Sequence, residues 1–409
     1  MDCDRPTLSC DLSPCYPRSN CMKRIVLIAA GFEKHCLRLQ PWRYLCEVAA
    51  QLQQHGHAVT IISTGTDPAS LLYGIPIIRL SSIAAHPRNH ALQAALHACQ
   101  PDVVLWHLGK TSMLHGHYHY PGALNIGIFT SPLYHLAQLR TIGMGRLLKN
   151  YELGAMHLVG ALIPQRIFQH GYQRQQLDHV VVQTQTTKAQ LIDLGIAAHD
   201  ITVLAPGVDS DWLTKPTHET DGRTALGFHA TDHVLVYFGS PAPLRGLHTL
   251  LHAFSAARRQ HPSLRLLILS RRHPRELQRA DAQLGRLFQQ SEIAPYVRIV
   301  SGYLPSQELV RHVALGDSVV LPFDLVPSDA PLSLLEAHAL GKPLITTDIS
   351  CLPEFAAYGP HVLAEAANPP SLQQALLASS QHRYRPPTTP SLVQSWTEMG
   401  TQWHHLLGQ

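Results

Sequence analysis

The sequence predicts an α/β protein built from two parallel β-sheets, each covered by helices on both faces. Its 409 residues favour two large domains, because a domain typically has about 150 residues. Apolar residues make up 45% of the chain, which is enough for ordinary globular cores. Short β-branched runs alternate with helical stretches along both halves, and near-continuous apolar strands separated by helices are typical of a parallel sheet.

The first half begins with the apolar run 25–30, which predicts a buried strand. The stretch 42–54 has the periodicity of an amphipathic helix, and Gly56 behind it suits the left-handed position at a helix end. A polar, irregular stretch at 215–231 predicts a hinge. Further strands are predicted at 58–63, 75–80, 102–106, 126–129, 180–183 and 201–204.

The second half repeats the alternation and predicts a second sheet. We therefore expect two Rossmann-like domains, 22–208 and 209–390, that face each other across a cleft. Ligands of open α/β sheets bind at the carboxyl ends of the strands, so the functional site should lie in this cleft. Strands are predicted at 234–238, 264–269, 297–300, 318–321 and 343–346, and helices at 247–258, 275–289, 306–314, 332–339, 371–379 and 391–407.

Composition and charge exclude several classes of protein. The net charge of +4, with histidine neutral, is too small to indicate nucleic-acid binding, which needs a concentrated basic stripe. The apolar runs fall well short of the ~20 residues that span a bilayer, which excludes an integral membrane protein. The run after Lys23-Arg24 is too short for a signal peptide and is followed by Glu33 and Lys34, so we expect a cytoplasmic protein.

The leader, residues 1–21, contains four of the eight cysteines and shows no periodic pattern. We expect it either to be disordered or to lie upstream of a natural start at Met22. No C-x-x-C spacing occurs in the chain, so a structural zinc site is not predicted.

Two local patterns have simpler explanations than a metal site. Asp209-Ser210-Asp211 has the D-x-D spacing of manganese sites, but it follows Gly207-Val208 in what reads as a turn. The alternating histidines of His115-Gly-His117-Tyr-His119 could share a transition metal, yet no cysteine or carboxylate clusters with them, and we expect no metal. Dinucleotide, P-loop and nucleophile-elbow motifs are also missing from the sequence.

The most specific passage is 318–354, which contains Pro327-Ser-Asp-Ala-Pro331-Leu-Ser-Leu-Leu-Glu336, Gly341-Lys-Pro343 and Leu352-Pro-Glu354. It resembles the core signature of the retaining GT-B glycosyltransferases of family 4, or group 1. Other segments in that family's order are Pro206-Gly-Val-Asp209, Tyr237-Phe-Gly239-Ser240 with Arg245-Gly246, and Ser395-Trp396.

The resemblance covers 22–409 and implies the GT-B fold. The domain 22–208 would bind the acceptor, the domain 209–390 would bind a nucleotide-sugar donor, and the helix 391–409 would cross back to the first domain. The implied reaction moves a sugar from a nucleotide-diphosphate donor, such as a UDP-sugar, with retention. No metal or cofactor would be needed, and the acceptor class (glycan, lipid-linked or small molecule) stays open.

The resemblance implies donor-binding roles that the chemistry of the residues supports. A carboxylate at Glu336 can accept both ribose hydroxyls, and the Arg245 guanidinium can stabilise the leaving diphosphate. Gly239 lets the backbone approach the phosphates, and Gly246 opens a helix. Backbone amides near a helix N-terminus favour a diphosphate or a sugar hydroxyl. The remaining donor-binding candidates are Gly31, Ser240, Ser328, Asp329, Ala330, Pro331 and Leu332.

Candidates in the first domain concern the sugar and the acceptor. His107, at the end of the predicted strand 102–106, would contact the transferred sugar or the acceptor, or else be an ordinary hydrogen-bonded strand-end residue. The stretch 136–169 interleaves Arg140, Arg146, Lys149 and Arg166 with leucines. It either rests on an anionic membrane that presents a lipid acceptor, at the inner face, or is a helix with a solvated face.

Two positions depart from the family's pattern. The first of the family's two glutamates falls on Ser328, and a basic residue is replaced by Ser240. Either Asp329 acts as a catalytic carboxylate and Arg271 or Arg272 supplies the charge, or the donor differs, or catalysis has been lost. The alternatives to a transferase are therefore a non-catalytic nucleotide-sugar-binding protein and an epimerase on the same fold.

Overall fold

The computed structural model describes residues 22–67, 71–114, 116–149, 154–214, 220–239, 244–270, 292–302, 304–381 and 392–408. Within these residues the chain forms an eight-stranded sheet from its first half and a six-stranded sheet from its second half. We call the eight-stranded sheet with its helices the first lobe, and the six-stranded sheet with its helices the second lobe. The predicted α/β class with two parallel-sheet domains is confirmed. The leader and the predicted helix 275–289 lie outside the described residues.

The first sheet has the strand order β3-β4-β2-β1-β5-β6-β7-β8. Every pair is parallel except β3 with β4, and a parallel order requires helical crossovers between strands. Its strands are β1 (Arg24–Ile28), β2 (Ala58–Ser63), β3 (Leu71–Leu72), β4 (Ile75–Arg79), β5 (Val103–Leu108), β6 (Leu124–Phe129), β7 (His179–Val182) and β8 (Ile201–Val203).

The second sheet has the order β11-β10-β9-β12-β13-β14, with all pairs parallel. The edge strand β14 was not predicted, because its mostly half-buried residues do not form a continuous apolar run. The strands are β9 (His233–Gly239), β10 (Leu264–Ser270), β11 (Val297–Ser301), β12 (Ser318–Leu321), β13 (Leu344–Thr347) and β14 (His361–Ala364).

Helices cover both sheets, as the crossovers require. In the first lobe and the connection they are α1 (Trp42–Gln54), α2 (His90–Cys99), α3 (Leu136–Ile142), α4 (Met144–Lys149), α5 (Met156–Leu162), α6 (Gln165–Gln173), α7 (Gln185–Asp193), α8 (Ser210–Leu213) and α9 (Thr220–Ala225). In the remainder they are α10 (Leu247–Gln260), α11 (Ser306–Ala314), α12 (Leu332–Ala339), α13 (Pro369–Gln381) and α14 (Trp396–Gly408).

The C-terminal helix α14 packs against α1 of the first lobe, although it follows the second lobe in sequence. Trp403 is buried there, and its indole nitrogen donates to the Tyr44 hydroxyl at 3.1 Å, which in turn donates to the Leu204 carbonyl at 2.9 Å. A backbone bridge pairs Val208, where the chain leaves the first lobe, with Ser395, where the chain returns to it.

The two lobes also share a hydrophobic cluster. Tyr134, Leu139 and Leu147 of the first lobe are buried in the same cluster as Phe323 and Val326 of the second. The Tyr134 hydroxyl donates to the Val326 carbonyl at 3.1 Å and accepts from its amide at 2.7 Å. The carboxyl ends of the second sheet are therefore in direct contact with the first lobe.

We expect Tyr44→Phe to lower the free energy of unfolding by about 1–3 kcal/mol, because it leaves a buried carbonyl and the Trp403 indole N–H without partners. Urea denaturation of the whole protein measures this difference. The control is Tyr73→Phe, which removes a hydroxyl from a side chain that is 66% exposed and should leave stability unchanged. Equal stability of the two variants would contradict the role given to the Tyr44 hydroxyl.

Candidate functional site

Two loops meet at the carboxyl edge of the second sheet. They follow β9 and β12, which are neighbouring parallel strands, so both leave the sheet at the same edge. The Leu244 carbonyl accepts from the Asp324 and Leu325 amides, at 3.0 and 2.9 Å. Gly246 has φ +78, and a Cβ there would lie 1.6 Å from the Pro322 carbonyl oxygen, so only glycine allows this approach.

Arg245 lies where the sequence predicted a diphosphate contact. Its guanidinium carbon is 5.6 Å from the centre of the Phe323 ring. A Cβ built on Gly239, the last residue of β9, would lie 3.5 Å from the Arg245 Nη1 atom. The guanidinium is thus held beside the glycine at the strand end, while Ser240, the adjacent candidate, lies outside the described residues.

Glu336 projects from α12 and is buried, with 6% of its surface exposed. It lies in the second turn of the helix, because the helix begins at Leu332 directly after Pro331, as predicted. Glu336, Leu332 and Ser306 of the second lobe line a pocket together with Arg38 of the first lobe and Trp396. The carboxylate therefore faces the boundary between the lobes.

This pocket has a volume of about 50 Å³. Pockets that hold organic ligands usually have ~300–1,000 Å³, so this pocket by itself is smaller than the volume that a nucleotide sugar needs.

Asp329 makes its contacts with the first lobe. Its carboxylate accepts from the Gln183 amide at 3.0 Å and from the hydroxyls of Thr184 and Thr187 at 2.8 and 2.5 Å. The residue is fully buried. Burial raises the pKa of its carboxyl to about 6, and the three hydrogen bonds act in the opposite direction. Through these contacts the Asp329 carboxylate joins the two lobes. They do not test its predicted catalytic role.

The backbone amides of the loop before α12 are also engaged. The Asp329 amide donates to the Thr130 carbonyl at 2.7 Å, and the Ala330 amide donates to the Gln183 side-chain oxygen at 3.2 Å. Pro331 has no N–H to offer. First-lobe oxygens therefore accept from two of the amides that the sequence analysis assigned to a diphosphate or a sugar, and donor binding by this loop stays a prediction. Ser328 is buried in the same loop.

A second carboxylate, that of Glu354, binds the N-terminus of α7, which is also the end that Asp329 contacts through Thr184 and Thr187. Glu354 accepts from the Gln185 amide at 2.9 Å and from the amide and hydroxyl of Thr186, both at 2.8 Å. The first amides of a helix lack partners within it and carry partial positive charge, which favours carboxylates. We call Asp329 and Glu354 together the α7 clamp. In the sequence, Glu354 stands out only as part of the family signature, and no local pattern indicates this contact.

His107 and Gly31 lie at the carboxyl edge of the first sheet. His107 is the penultimate residue of β5, which ends two residues further along the chain than predicted, and its Nε2 atom is 2.8 Å from the Thr130 hydroxyl. Burial lowers the pKa of His107 to about 4, so the ring is neutral near pH 7. Gly31 follows β1 with φ +69, and its amide donates to the Thr64 hydroxyl at 3.1 Å.

The structure describes only one of the two sequence patterns considered as metal sites, the one at Asp209-Ser210-Asp211, in full. One Asp209 carboxylate oxygen accepts from Arg43 at 2.5 Å and from the Trp396 indole at 3.0 Å, which agrees with a structural role at the connection between the lobes. His115 lies outside the described residues, as do Arg271 and Arg272. Where the structure describes the chain, no group of three or more His, Cys, Asp or Glu side chains is arranged to hold a metal ion.

Comparison with known protein families supports the resemblance in both halves. The family described as "Glycosyltransferase Family 4" matches residues 42–212, and the family described as "Glycosyl transferases group 1" matches residues 232–382. The first match ends within α8 and the second begins just before β9, so each corresponds to one lobe.

Individual proteins are similar over most of the chain. A D-inositol 3-phosphate glycosyltransferase of Segniliparus rotundus is 26% identical over 337 residues, which are 77% of this chain and 70% of that protein. HepE of Anabaena in complex with UDP and glucose has a TM-score of 0.60 at 14% identity, covering 93% of this chain and 95% of that one. Sucrose-phosphate synthase of Thermosynechococcus elongatus has a TM-score of 0.60 at 17% identity, with 95% of both chains covered.

We expect Asp329→Asn to lower the free energy of unfolding by about 1–3 kcal/mol. The substitution replaces one acceptor oxygen with an NH2 group, which is a donor and leaves at least one of the donors on Gln183, Thr184 and Thr187 without an acceptor. Chemical denaturation measures the change. Asp193→Asn is the matched control, since Asp193 is exposed at the other end of α7. If the two substitutions had equal effects, the buried carboxylate would not be joining the lobes.

Proposed function

Because the chain belongs to the group 1 glycosyltransferases with the GT-B fold, we propose that it transfers a sugar from a nucleotide-diphosphate donor to an acceptor with retained configuration. The observation that carries this proposal is the meeting of two loops at one edge of the second sheet. One holds Arg245 beside Gly239, and the other leads into the helix of Glu336. This combination offers a cation for a diphosphate and a carboxylate for a ribose at the strand ends where such ligands bind.

In the proposed reaction the bond between the sugar and the diphosphate breaks, and a bond forms between the same sugar carbon and an acceptor oxygen. Arg245 stabilises the negative charge that develops on the diphosphate. The acceptor's proton passes to the leaving phosphate, so the chain itself needs no general base. We assign no metal and no cofactor to this chemistry, and the nucleotide sugar, for which a UDP-sugar is the first candidate, is a substrate.

The acceptor would bind against the first lobe near His107, while Gly31 would contact the donor phosphate through its backbone. A neutral His107 can donate or accept a hydrogen bond to a sugar hydroxyl without a desolvated positive charge. The D-inositol 3-phosphate glycosyltransferase that matches this chain makes a small hydroxylated acceptor a reasonable first choice for screening. Closure of the lobes around both substrates would keep water from the activated sugar.

We propose that donor binding moves the lobes apart, since the pocket beside Glu336 has a volume of only about 50 Å³. Separation breaks the α7 clamp, which consists of six hydrogen bonds from the first lobe to Asp329 and Glu354. We infer that the clamp stabilises the closed arrangement and that donor binding competes with it.

A second function is favoured by one specific observation. Ser328 lacks the carboxylate that the family's pattern has at this position, and the Asp329 and Ala330 amides already bind the first lobe. A protein with these features could bind a nucleotide sugar without transferring it. Saturable donor binding without sugar transfer or donor hydrolysis, over a broad panel of acceptors, would support this alternative over the transferase.

We also propose that 136–169 contacts an anionic membrane at the cytoplasmic face. Where the structure describes the chain, no helix combines the length and apolar character needed to cross a bilayer. However, α4 and α5 expose large apolar side chains, and Arg140 and Arg166 of the same segment are exposed as well, a combination that binds membrane surfaces. The exposed apolar residues are Met144, Leu148, Met156, Val159 and Leu162.

We expect Glu336→Gln to abolish the thermal stabilisation that a nucleotide sugar produces in the wild-type protein, because an amide cannot accept from both ribose hydroxyls. A ligand at 100 times its Kd adds about 2.7 kcal/mol to the stability of a folded protein, which differential scanning fluorimetry detects. Glu308→Gln is the control, since Glu308 is an exposed residue of α11. A shift that survives Glu336→Gln for every donor removes Glu336 from the donor site.

We expect Arg245→Gln to lower kcat for sugar transfer by about 100-fold or more, because it removes one preorganised charge from the leaving group. Donor turnover and product stereochemistry are measured by chromatography and NMR over the acceptor panel. Arg311→Gln, at an exposed position of α11, should leave kcat unchanged. An inverted product would refute retention, and a normal kcat for Arg245→Gln would refute the role of its guanidinium.

The double substitution Val159→Ser and Leu162→Ser should weaken binding to anionic lipid vesicles, because both side chains are more than half exposed on α5, at 51% and 58%. Co-sedimentation with vesicles measures the bound fraction. The control is Leu392→Ser, which removes a side chain that is 69% exposed outside the segment. If the wild-type protein does not sediment with anionic vesicles, 136–169 is a solvated surface.

A further inference from the structure

A second cavity lies in the first lobe, between α6 and the 3-10 helix Lys110–Leu114. Its volume is about 270 Å³, several times that of the pocket beside Glu336. None of the donor-site residues named above lines this cavity. It is therefore a separate feature that the proposed sugar transfer does not use.

The walls of the cavity are fixed by close packing and hydrogen bonds. A Cβ on Gly171 would lie 2.2 Å from the Met113 carbonyl oxygen, so α6 and the 3-10 helix touch backbone to backbone. The buried Gln175 side chain accepts from the Tyr118 amide at 3.1 Å and donates to the Gly171 carbonyl at 2.8 Å. These contacts hold the segment 116–118 against α6 and keep the cavity in shape.

The polar side chains that line the cavity are suited to an anion. They include His86, His117, His170 and Arg174, and no Asp or Glu is among the lining residues. The Nδ1 atom of His86 accepts from the Arg88 amide at 3.0 Å, which leaves the hydrogen of a neutral ring on Nε2, where it can donate. No described residue forms an ion pair or hydrogen bond with the Arg174 guanidinium.

The cavity also has an apolar side. Leu114 and Ile167 line it and remain 41% and 51% exposed. A ligand that carries only charge would leave these side chains in water, whereas a hydrocarbon substituent would cover them. Covering apolar surface contributes about 25 cal/mol for each Å².

We propose that this cavity binds a phosphate monoester with an apolar substituent. Arg174 provides a planar pair of donors that matches two phosphate oxygens, and the three histidines provide further donors around the group. Leu114 and Ile167 contact the substituent. The proposal does not depend on sugar transfer, and it holds whether the phosphate belongs to a soluble molecule or to a lipid head group.

Titration of the full-length protein with hexyl phosphate and with inorganic phosphate, followed by calorimetry, tests the proposal. We expect saturable binding of hexyl phosphate, weaker binding of inorganic phosphate, and a Kd for hexyl phosphate that rises about tenfold or more in Arg174→Gln. The matched control Arg311→Gln removes an exposed arginine from the second lobe and should leave this Kd unchanged. Thermal stabilisation by UDP should be the same in both variants, which shows that each is folded and separates this test from the donor site.

Vesicles of phosphatidylcholine with and without phosphatidic acid distinguish the two sources of phosphate. If Arg174→Gln reduces sedimentation with phosphatidic acid as well as binding of hexyl phosphate, the lipid head group is supported. If it affects only hexyl phosphate, a soluble ligand is supported. The proposal is wrong if hexyl phosphate shows no saturable binding, or if Arg311→Gln weakens its binding as much as Arg174→Gln does.

Discussion

The arrangement of the two lobes depends on the carboxylates that the second lobe inserts at the N-terminus of α7. Asp329 is fully buried and accepts three hydrogen bonds, and Glu354 accepts three more at the neighbouring helix positions. A buried carboxylate without such partners would cost several kcal/mol. The lobes are therefore held in the orientation in which these donors and acceptors meet, and residues of both lobes line the small pocket beside Glu336.

The loop that carries Asp329 connects the proposed donor site with the contact between the lobes. Its amides, its carboxylate and the adjoining Val326 all contact the first lobe, while its far end leads directly into the helix of Glu336. Any ligand that binds Glu336 and the loop before it must compete with first-lobe groups for the same donors. In the proposed function, a single short segment would thus couple donor binding to the position of the lobes.

The sequence predicted the parts of the site that depend on local chain geometry. Gly239, Arg245 and Gly246 follow a strand and open a helix, and these are features that spacing and residue type reveal. It could not predict the partners of Asp329, because Gln183, Thr184 and Thr187 are about 145 residues away in the chain. It also did not reveal the cavity lined by His86 and Arg174, whose members come from three separate segments.

By itself, the sequence determined the α/β class, the two sheets, most strand positions and the family, since strand and helix periodicity and short signatures are properties of neighbouring residues. Only the tertiary structure decided that Asp329 faces the first lobe, that Glu336 lines a small pocket between the lobes, and that α14 packs on α1. These outcomes depend on which surfaces of distant segments fit together. Burial and hydrogen bonding between such surfaces are fixed by the packing of the whole chain, which no local pattern records.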